Sequence, residues 1–440
     1  MIELELEYKS QVVEWIPSII VGGLILLGTH SNVFSILAFL MIAYIVLFRE
    51  PEYALMQMVF VLPLANIFKM EPGSQSFFTY IVLLYVIAFI FRLKKMNATV
   101  MLFIIYILML EIVMDAISIP RTLKFVGGLL MLYYVFSEVD LEISHEAIFK
   151  RYILGVITAS CIARLNSSYF NIARYLSVQE LGTRYGYGEM TRFTGLDTDP
   201  NYYAVSIIVS LCLIVLLYHR NEIKAVPAVV QAAFLILFAL LTYSKSVFIM
   251  LAFPAVFLAV SNHKKKNYIL QVILIVFLIG VALYALAGNI QAVNIILTRI
   301  SVNTNLNGIT TGRIELWVAY LQYFGEHIVK AILGSGLGAD YAPNVNRAVH
   351  NTYIEAVYHL GIVGLVWLIY ALRNSYSKYK YAFKRNILNY SVLICVLIMY
   401  LFLNELFYYD APFHFLLAFM AMNTMNDRED RGVKLSDGGV

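Results

Sequence analysis

The sequence specifies an all-α polytopic membrane protein with about fourteen transmembrane helices, and three observations lead there. Apolar residues make up 61% of the 440 and charged residues only 14%, against about a quarter charged in an ordinary soluble domain. The apolar residues come in blocks of roughly 15 to 20 broken by short polar punctuation, the length a helix needs to cross about 30 Å of hydrocarbon. A transmembrane barrel would instead alternate in polarity over segments of about ten residues, and the run ILQVILIVFLIGVALYALAG from Ile269 to Gly288 does not alternate.

Taken in order, the blocks place spans at 15–28, 33–48, 53–69, 76–91, 98–117, 123–136, 151–165, 202–218, 226–243, 246–261, 268–287, 351–371, 388–407 and 412–425. The N-terminus carries Glu3, Glu5, Glu7 and Glu14 where a secretory signal carries basic residues, so the first span is expected to be retained. With that terminus in the cytoplasm, Arg92, Lys94 and Lys95, Arg220 and Lys224, Lys264 to Lys266, and the cluster from Arg373 to Arg385 share one side, the positive-inside pattern. Of the 32 Lys and Arg, 20 then fall inside and 12 outside, four of the 12 in short outer loops. Both termini are expected in the cytoplasm, 426–440 forming a mobile charged tail on a single membrane-embedded domain.

Two outer segments exceed a tight turn, 166–201 and 289–350, and loops of that length in a compact bundle are usually functional or disordered. Both keep aromatic and aliphatic residues. In TGRIELWVAYLQYFGEHIVKAILG, the residues Ile314, Trp317, Val318, Leu321, Phe324 and Ile328 fall on one helical face, with Thr311 placed to cap and Glu315 in the first turn. The pattern fits an amphipathic helix lying along the outer membrane surface or, equally, one packed on the bundle.

Three outward groups stand where a loop meets a helix: Arg192 in TRFTGLDTDPNYYA, Arg313 in TGRIELW and His350 in AVHNTYIEAVYHLGIVG. A guanidinium at a helix N-terminus suits phosphate, because backbone N–H groups and the dipole already favour an anion there. Histidine can take a proton near neutral pH. Each has a plainer alternative, snorkelling or pairing with Asp197, Asp199 or Glu315 for the arginines. Lys245, in TYSKSVF between two spans, is a third cation candidate that could equally snorkel. Asp199, Glu405 and Asp410 are carboxylates at the outer ends of spans and further candidates to face a substrate. GSGLGA from Gly334 to Ala339 fits a dinucleotide fingerprint formally, yet no strand precedes it, so its glycines are read as permitting a tight turn or a close approach. Cys161, Cys212 and Cys395 sit in apolar blocks and are expected to be buried and inert. No metal-ligand spacing is present, and dispersed basic residues argue against nucleic acid.

The order TGRIELW, LGSGLG, HNTYIEAVYHLGIVG late in the chain, with RFTGLDTDPNYYA and the SKS turn upstream, resembles the O-antigen ligase and polymerase family of bacterial membrane glycosyltransferases. The resemblance implies a GT-C-like helical fold and a metal-independent, cofactor-free glycosyl transfer at the outer face of the cytoplasmic (inner) membrane from an undecaprenyl-diphosphate-linked oligosaccharide. It implies that Arg192 and Arg313, with Lys245 more doubtful because many relatives carry arginine there, hold the diphosphate. His350 would act as, or orient, the base. The expected product is O-antigen, capsular or exopolysaccharide. Polymerase is favoured over ligase because no further outer domain follows the last span, and a flippase and a chain-length regulator are the expected pathway partners. A lipid-linked oligosaccharide flippase or other transporter would hold its charges at the midplane on broken helices, often in two related halves, and here they crowd the outer edge. A cell-wall glycan polymerase of the shape, elongation and division type is a third reading, built with fewer spans.

Overall fold

A computed structural model describes residues 2–90, 97–137, 145–165, 169–175, 192–242, 244–261, 312–343, 345–376, 387–404 and 406–423, and these are helical, with no strand among them. The expected span 268–287, residues 166–168 and 176–191 of the first long outer segment, 289–311 of the second, and the 426–440 tail lie outside these residues.

The described helices are α1 (Ile2–Gly28), α2 (Asn32–Phe48), α3 (Pro51–Val61), α4 (Phe77–Ile90), α5 (Ala98–Val113), α6 (Ile119–Ser137), α7 (His145–Arg164), α8 (Pro200–His219), α9 (Ala225–Leu241) and α10 (Lys245–Ser261). After them come α11 (Arg313–Glu326), α12 (Ile328–Leu333), α13 (Thr352–Tyr376), α14 (Ser391–Tyr400) and α15 (Asp410–Asn423). Most of the expected spans coincide with one of them. Two fall furthest short at their outer ends. The block 53–69 leaves the helix early, at Val61, because the 3₁₀ turn Leu62–Leu64 carries Pro63, and the block 388–407 is helical only to Tyr400. α8 and the stretch Thr352–Arg373 of α13 are long and apolar enough to cross a membrane by themselves, and seven shorter apolar helices accompany them.

α3, α7, α8, α14 and α15 supply the middle of one large apolar core. Outside it the helices present bulky aliphatic groups, Ile19, Phe48, Val113, Val226 and Val366 all being more than 60% exposed, a surface that water would not tolerate and lipid would. Arg151 shows how a charge is accommodated inside: its guanidinium donates to Ser18 Oγ at 2.5 Å and lies 3.5 Å from the Trp15 ring centroid. Cys212 on α8 and Cys395 on α14 are buried as expected, their sulfurs 3.6 Å apart. Cys161 is exposed on α7, contrary to the sequence reading, because its apolar block turns that position outward.

The amphipathic stretch is two helices, α11 and α12, broken at His327. The cap is also different: Gly312 occupies the N-cap at φ 82°, with no side-chain cap bond, and Thr311 lies outside the described residues. Its inward face is aromatic. Tyr320 and Tyr323 are buried with Trp317 and Phe324 against them, whereas Val318, Leu321, Ile328 and Val329 are exposed, so the apolar stripe is divided between protein and surroundings.

α12 meets α13 backbone to backbone. α13 is bent where Gly361 takes φ 70°, ψ 171°, and a methyl group on Gly361 would lie 2.3 Å from Ile332 O, while one on Gly334 (φ 91°) would lie 2.5 Å from His359 O. The joint is laced by Ser335 N donating to Tyr358 O (2.8 Å), Gly336 N to His359 O (3.1 Å), and Tyr106 Oη to both Leu333 O (2.7 Å) and Leu360 O (2.9 Å). The LGSGLG and YHLG motifs are thus the two halves of one contact, and the glycines approach protein backbone. Gly361→Ala should leave little folded monomer in size-exclusion of the detergent-extracted protein. Gly325→Ala, in open space inside α11, should raise stability by about 0.5–1 kcal/mol, read as an increase in the melting midpoint.

Candidate functional site

The C-terminal ends of α3 and α14 and the N-terminal ends of α6, α8, α13 and α15 lie, in an up-and-down bundle, at one end. There they enclose a cavity of about 610 Å³, within the range of small-molecule sites. Its walls come from segments far apart in sequence: Asn66 and Lys69 after α3, Arg121 and Lys124 on α6, Thr198, Asp199 and Tyr202 at the start of α8, Ala339, Asp340, Tyr341, Ala348, Val349 and His350 after α12, Glu355, Tyr358 and His359 on α13, and Asn404, Phe407, Tyr408 and Tyr409 before α15.

His350 lines this cavity and is held by its neighbours. Asn351 caps α13, its Oδ1 accepting from the N–H of Tyr353 (3.0 Å) and Ile354 (3.1 Å), while its own N–H donates to Asn404 Oδ1 at 3.2 Å. On the other flank Trp317 Nε1 donates to Val349 O (3.2 Å) and Tyr320 Oη to Arg347 O (3.0 Å). Between these anchors His350 adopts φ 50°, a left-handed conformation uncommon for a residue with a side chain and often found at functional sites. Among the described residues its imidazole makes no hydrogen bond, so both ring nitrogens are free for a ligand. Burial, and then the positive charge of Arg313, hold it below the ordinary histidine range, and Asp199 opposes them.

Arg313, the first residue of α11, stands beside that cavity rather than on its wall. It lies in electrostatic range of His350, Asp199 and Tyr202, and 5.8 Å above the Phe402 ring. Among the described residues it forms no ion pair, so the pairing that would have made it merely structural is absent there.

The remaining sequence candidates divide. Asp199 lines the cavity, and its Oδ1 also caps α8 by accepting from Asn201 N at 2.7 Å. Arg192 does not reach it: its Nε donates to Thr242 O at 2.9 Å, tying the segment before α8 to the α9–α10 turn. Lys245 opens α10 in that same turn, where Ser244 Oγ donates to Asn201 Oδ1 at 2.6 Å, and its side chain lies outside the description. Glu405 lies outside the described residues. Asp410 is not on the cavity wall but in a neighbouring recess with Asp197, Asn66 and Ser206, so it faces a carboxylate rather than an acceptor. Burial and Asp410 push the Asp197 carboxyl well above the usual range. Among the described residues no three His, Cys, Asp or Glu side chains converge as metal ligands.

Residues 230–369 match the family model described as O-antigen ligase. The match supports an assignment to the O-antigen ligase/polymerase family. No curated protein and no solved structure matches it. The matched stretch contains Lys245, Arg313 and His350, and Arg192 lies before it. At a coarse level the match supports a membrane protein of O-antigen-related polysaccharide assembly, with a glycosyl-transfer type of reaction on a lipid-linked glycan.

The sequence pointed to the two best-placed groups and passed over Lys69, Arg121, Lys124, Glu355 and His359. One signal could have found three of them. Lys69, Arg121 and Lys124 are among the four basic residues that the positive-inside pattern leaves on the outer side in short loops.

With selectively labelled histidine, the carbon resonance assigned to His350 by comparison with His350→Gln should titrate with a midpoint below 6.5. Removing the Arg313 cation in Arg313→Gln should move that midpoint up, because the imidazolium loses a repulsion. Asp199→Asn should move it down, because the imidazolium loses an attraction. Unchanged midpoints in both variants would contradict the arrangement.

Proposed function

We propose that this chain joins polyprenyl-diphosphate-linked oligosaccharide repeat units into O-antigen, capsular or exopolysaccharide at the outer face of the cytoplasmic membrane. The observation that carries this reading is the Arg313 guanidinium, without an ion pair among the described residues, in electrostatic range of His350 on the wall of a cavity large enough for a glycan. The aliphatic helix surfaces and the distribution of basic residues support the multi-pass topology, with about fourteen spans and the cavity outward.

In this reading the donor glycan enters with its lipid diphosphate against Arg313, and the acceptor is the terminal hydroxyl of a second lipid-linked repeat unit. His350, kept neutral near pH 7 by burial and by Arg313, accepts the acceptor hydroxyl proton as the oxygen bonds to the donor's anomeric carbon. The bond from that carbon to the diphosphate oxygen breaks, its electron pair leaving with the lipid diphosphate. The charge that gathers on the leaving group is met by Arg313. The imidazolium then returns its proton to solvent or to the departing diphosphate. Tyr202, Tyr320 and Tyr358 offer faces on which sugar rings can stack. Arg192 enters as the residue that ties 192–199 to the α9–α10 turn, and phosphate contact is left to Arg313.

Purified protein given a polyprenyl-diphosphate repeat unit and no other acceptor should produce a ladder of longer glycans. Single transfer that needs an added, different acceptor would mean a ligase, and unchanged substrate that only crosses the bilayer would mean a flippase. His350→Ala should lower the rate by about 10²- to 10⁴-fold and Arg313→Ala by about 10²- to 10³-fold with insertion into the membrane intact. Full-length polymer from His350→Ala would remove the base assignment.

A further inference from the structure

The same cavity holds a second group of cations that the transfer chemistry leaves unused. Lys69 follows the 3₁₀ turn after α3, and Arg121 and Lys124 stand one helical turn apart near the start of α6. Arg121 is committed, its Nη1 donating to Leu337 O (3.1 Å) and Ala339 O (2.8 Å) and so holding the glycine-rich segment in place. The two lysines are not. Among the described residues neither ammonium group donates a hydrogen bond or forms an ion pair. Lys124 Nζ rests 4.6 Å from the centroid of the Tyr409 ring, and the charges in its range are the like charges of Lys69 and Arg121.

Three carboxylates share these walls, and among the described residues none is within ion-pair distance of either lysine: Asp340 pairs with neither, and the other two have partners of their own. Asp199 caps α8 and lies in range of Arg313 and His350, and Glu355 accepts from Leu406 N at 3.3 Å and lies in range of Arg121. Asp197 is in range of Lys69 but not within ion-pair distance, its Oδ1 taken by Thr198 N at 2.7 Å. Two ammonium groups side by side at a cavity wall repel one another unless an anion lies between them. Among the described residues no carboxylate stands within ion-pair distance of Lys124, and the charges acting on it are both positive.

We propose that Lys124 and Lys69 form a subsite for an anionic group carried by the glycan itself, a sugar carboxylate or a phosphate substituent, with the Tyr409 ring flanking it. The subsite is distinct from the Arg313 and His350 pair, which does not include either lysine among its charge partners. It rests on the glycan-binding reading above and narrows it to acidic repeat units.

The test is equilibrium binding to the full-length protein in detergent. The ligands are a free tetrasaccharide containing glucuronic acid, its carboxyl-reduced counterpart, the same reduced tetrasaccharide bearing a phosphate monoester, and undecaprenyl diphosphate. Wild type should bind the glucuronate or the phosphate form about tenfold more tightly than the reduced one, and the preference should shrink in high salt. Lys124→Gln and Lys69→Gln should each erase most of the preference without weakening the reduced glycan, and Lys124→Arg should keep it. His350→Ala should retain the full preference while failing to extend chains, which separates the subsite from the transfer reading. If His350→Ala extends chains normally and the preference persists, the transfer reading falls and the subsite stands. Equal affinity of wild type for the acidic and reduced glycans would overturn the proposal. So would a preference that survives Lys124→Gln and Lys69→Gln in protein of unchanged melting midpoint, or a loss confined to undecaprenyl diphosphate, which would make the anion the lipid headgroup.

Discussion

The contact of Gly334 with Gly361 sets the distances for everything above it. Two backbones approach there more closely than a side chain allows, with a methyl on either glycine falling within about 2.5 Å of the opposite chain. Because α12 and α13 lock at that point, the chain after Gly338 returns to the start of α13, and Ala339 to Tyr341 with Ala348 to His350 form one wall of the cavity. Gly338 N adds a bond to Ala116 O at 2.9 Å, which extends the joint to the turn between α5 and α6. The lysine and arginine of α6 are thereby brought to the same wall as the histidine of the late loop.

Charge placement follows from dielectric cost. A cation costs several kcal/mol to strand in hydrocarbon, and the charges within the body are fitted accordingly, as Arg151 is against Ser18 and Trp15. At the end of the bundle the accounting differs. There Arg313, Lys69 and Lys124 stand without an ion pair among the described residues, a condition that water or an anionic ligand can sustain and lipid cannot. The Asp197 and Asp410 recess is the complementary case, two carboxyl groups close enough that burial disfavours charge on both.

Much of the helical framework was legible because apolar block length is a direct consequence of bilayer thickness, and α2, α4, α8, α9 and α10 begin and end within two residues of the blocks. The ends that moved carry their own cause, Pro63 for α3 and the aromatic run from Phe407 to Tyr409 that packs across the cavity mouth instead of continuing α14. His350 and Arg313 were legible because each stands alone between an apolar run and a loop. Lys69 and Lys124 were not, since each lies in a different short turn and only packing brings them together. Asp410 was misplaced for a similar reason: sequence gives the end of the bundle at which a residue emerges but not the compartment it faces. The division of the α11 stripe between buried tyrosines and exposed aliphatics was hidden too, because hydrophobicity ranks Tyr320 below Val318 although the ring buries more area.

The left-handed backbone at His350 ties the position of its imidazole to two separate parts of the molecule. Its preceding carbonyl is gripped by Trp317 of α11 and its following amide by Asn404 of the segment before α15. A residue with a side chain relaxes from φ 50° when such grips are released. The imidazole is therefore positioned from two sides at once, by α11 and by the 401–404 turn, and its place reports on how both are packed.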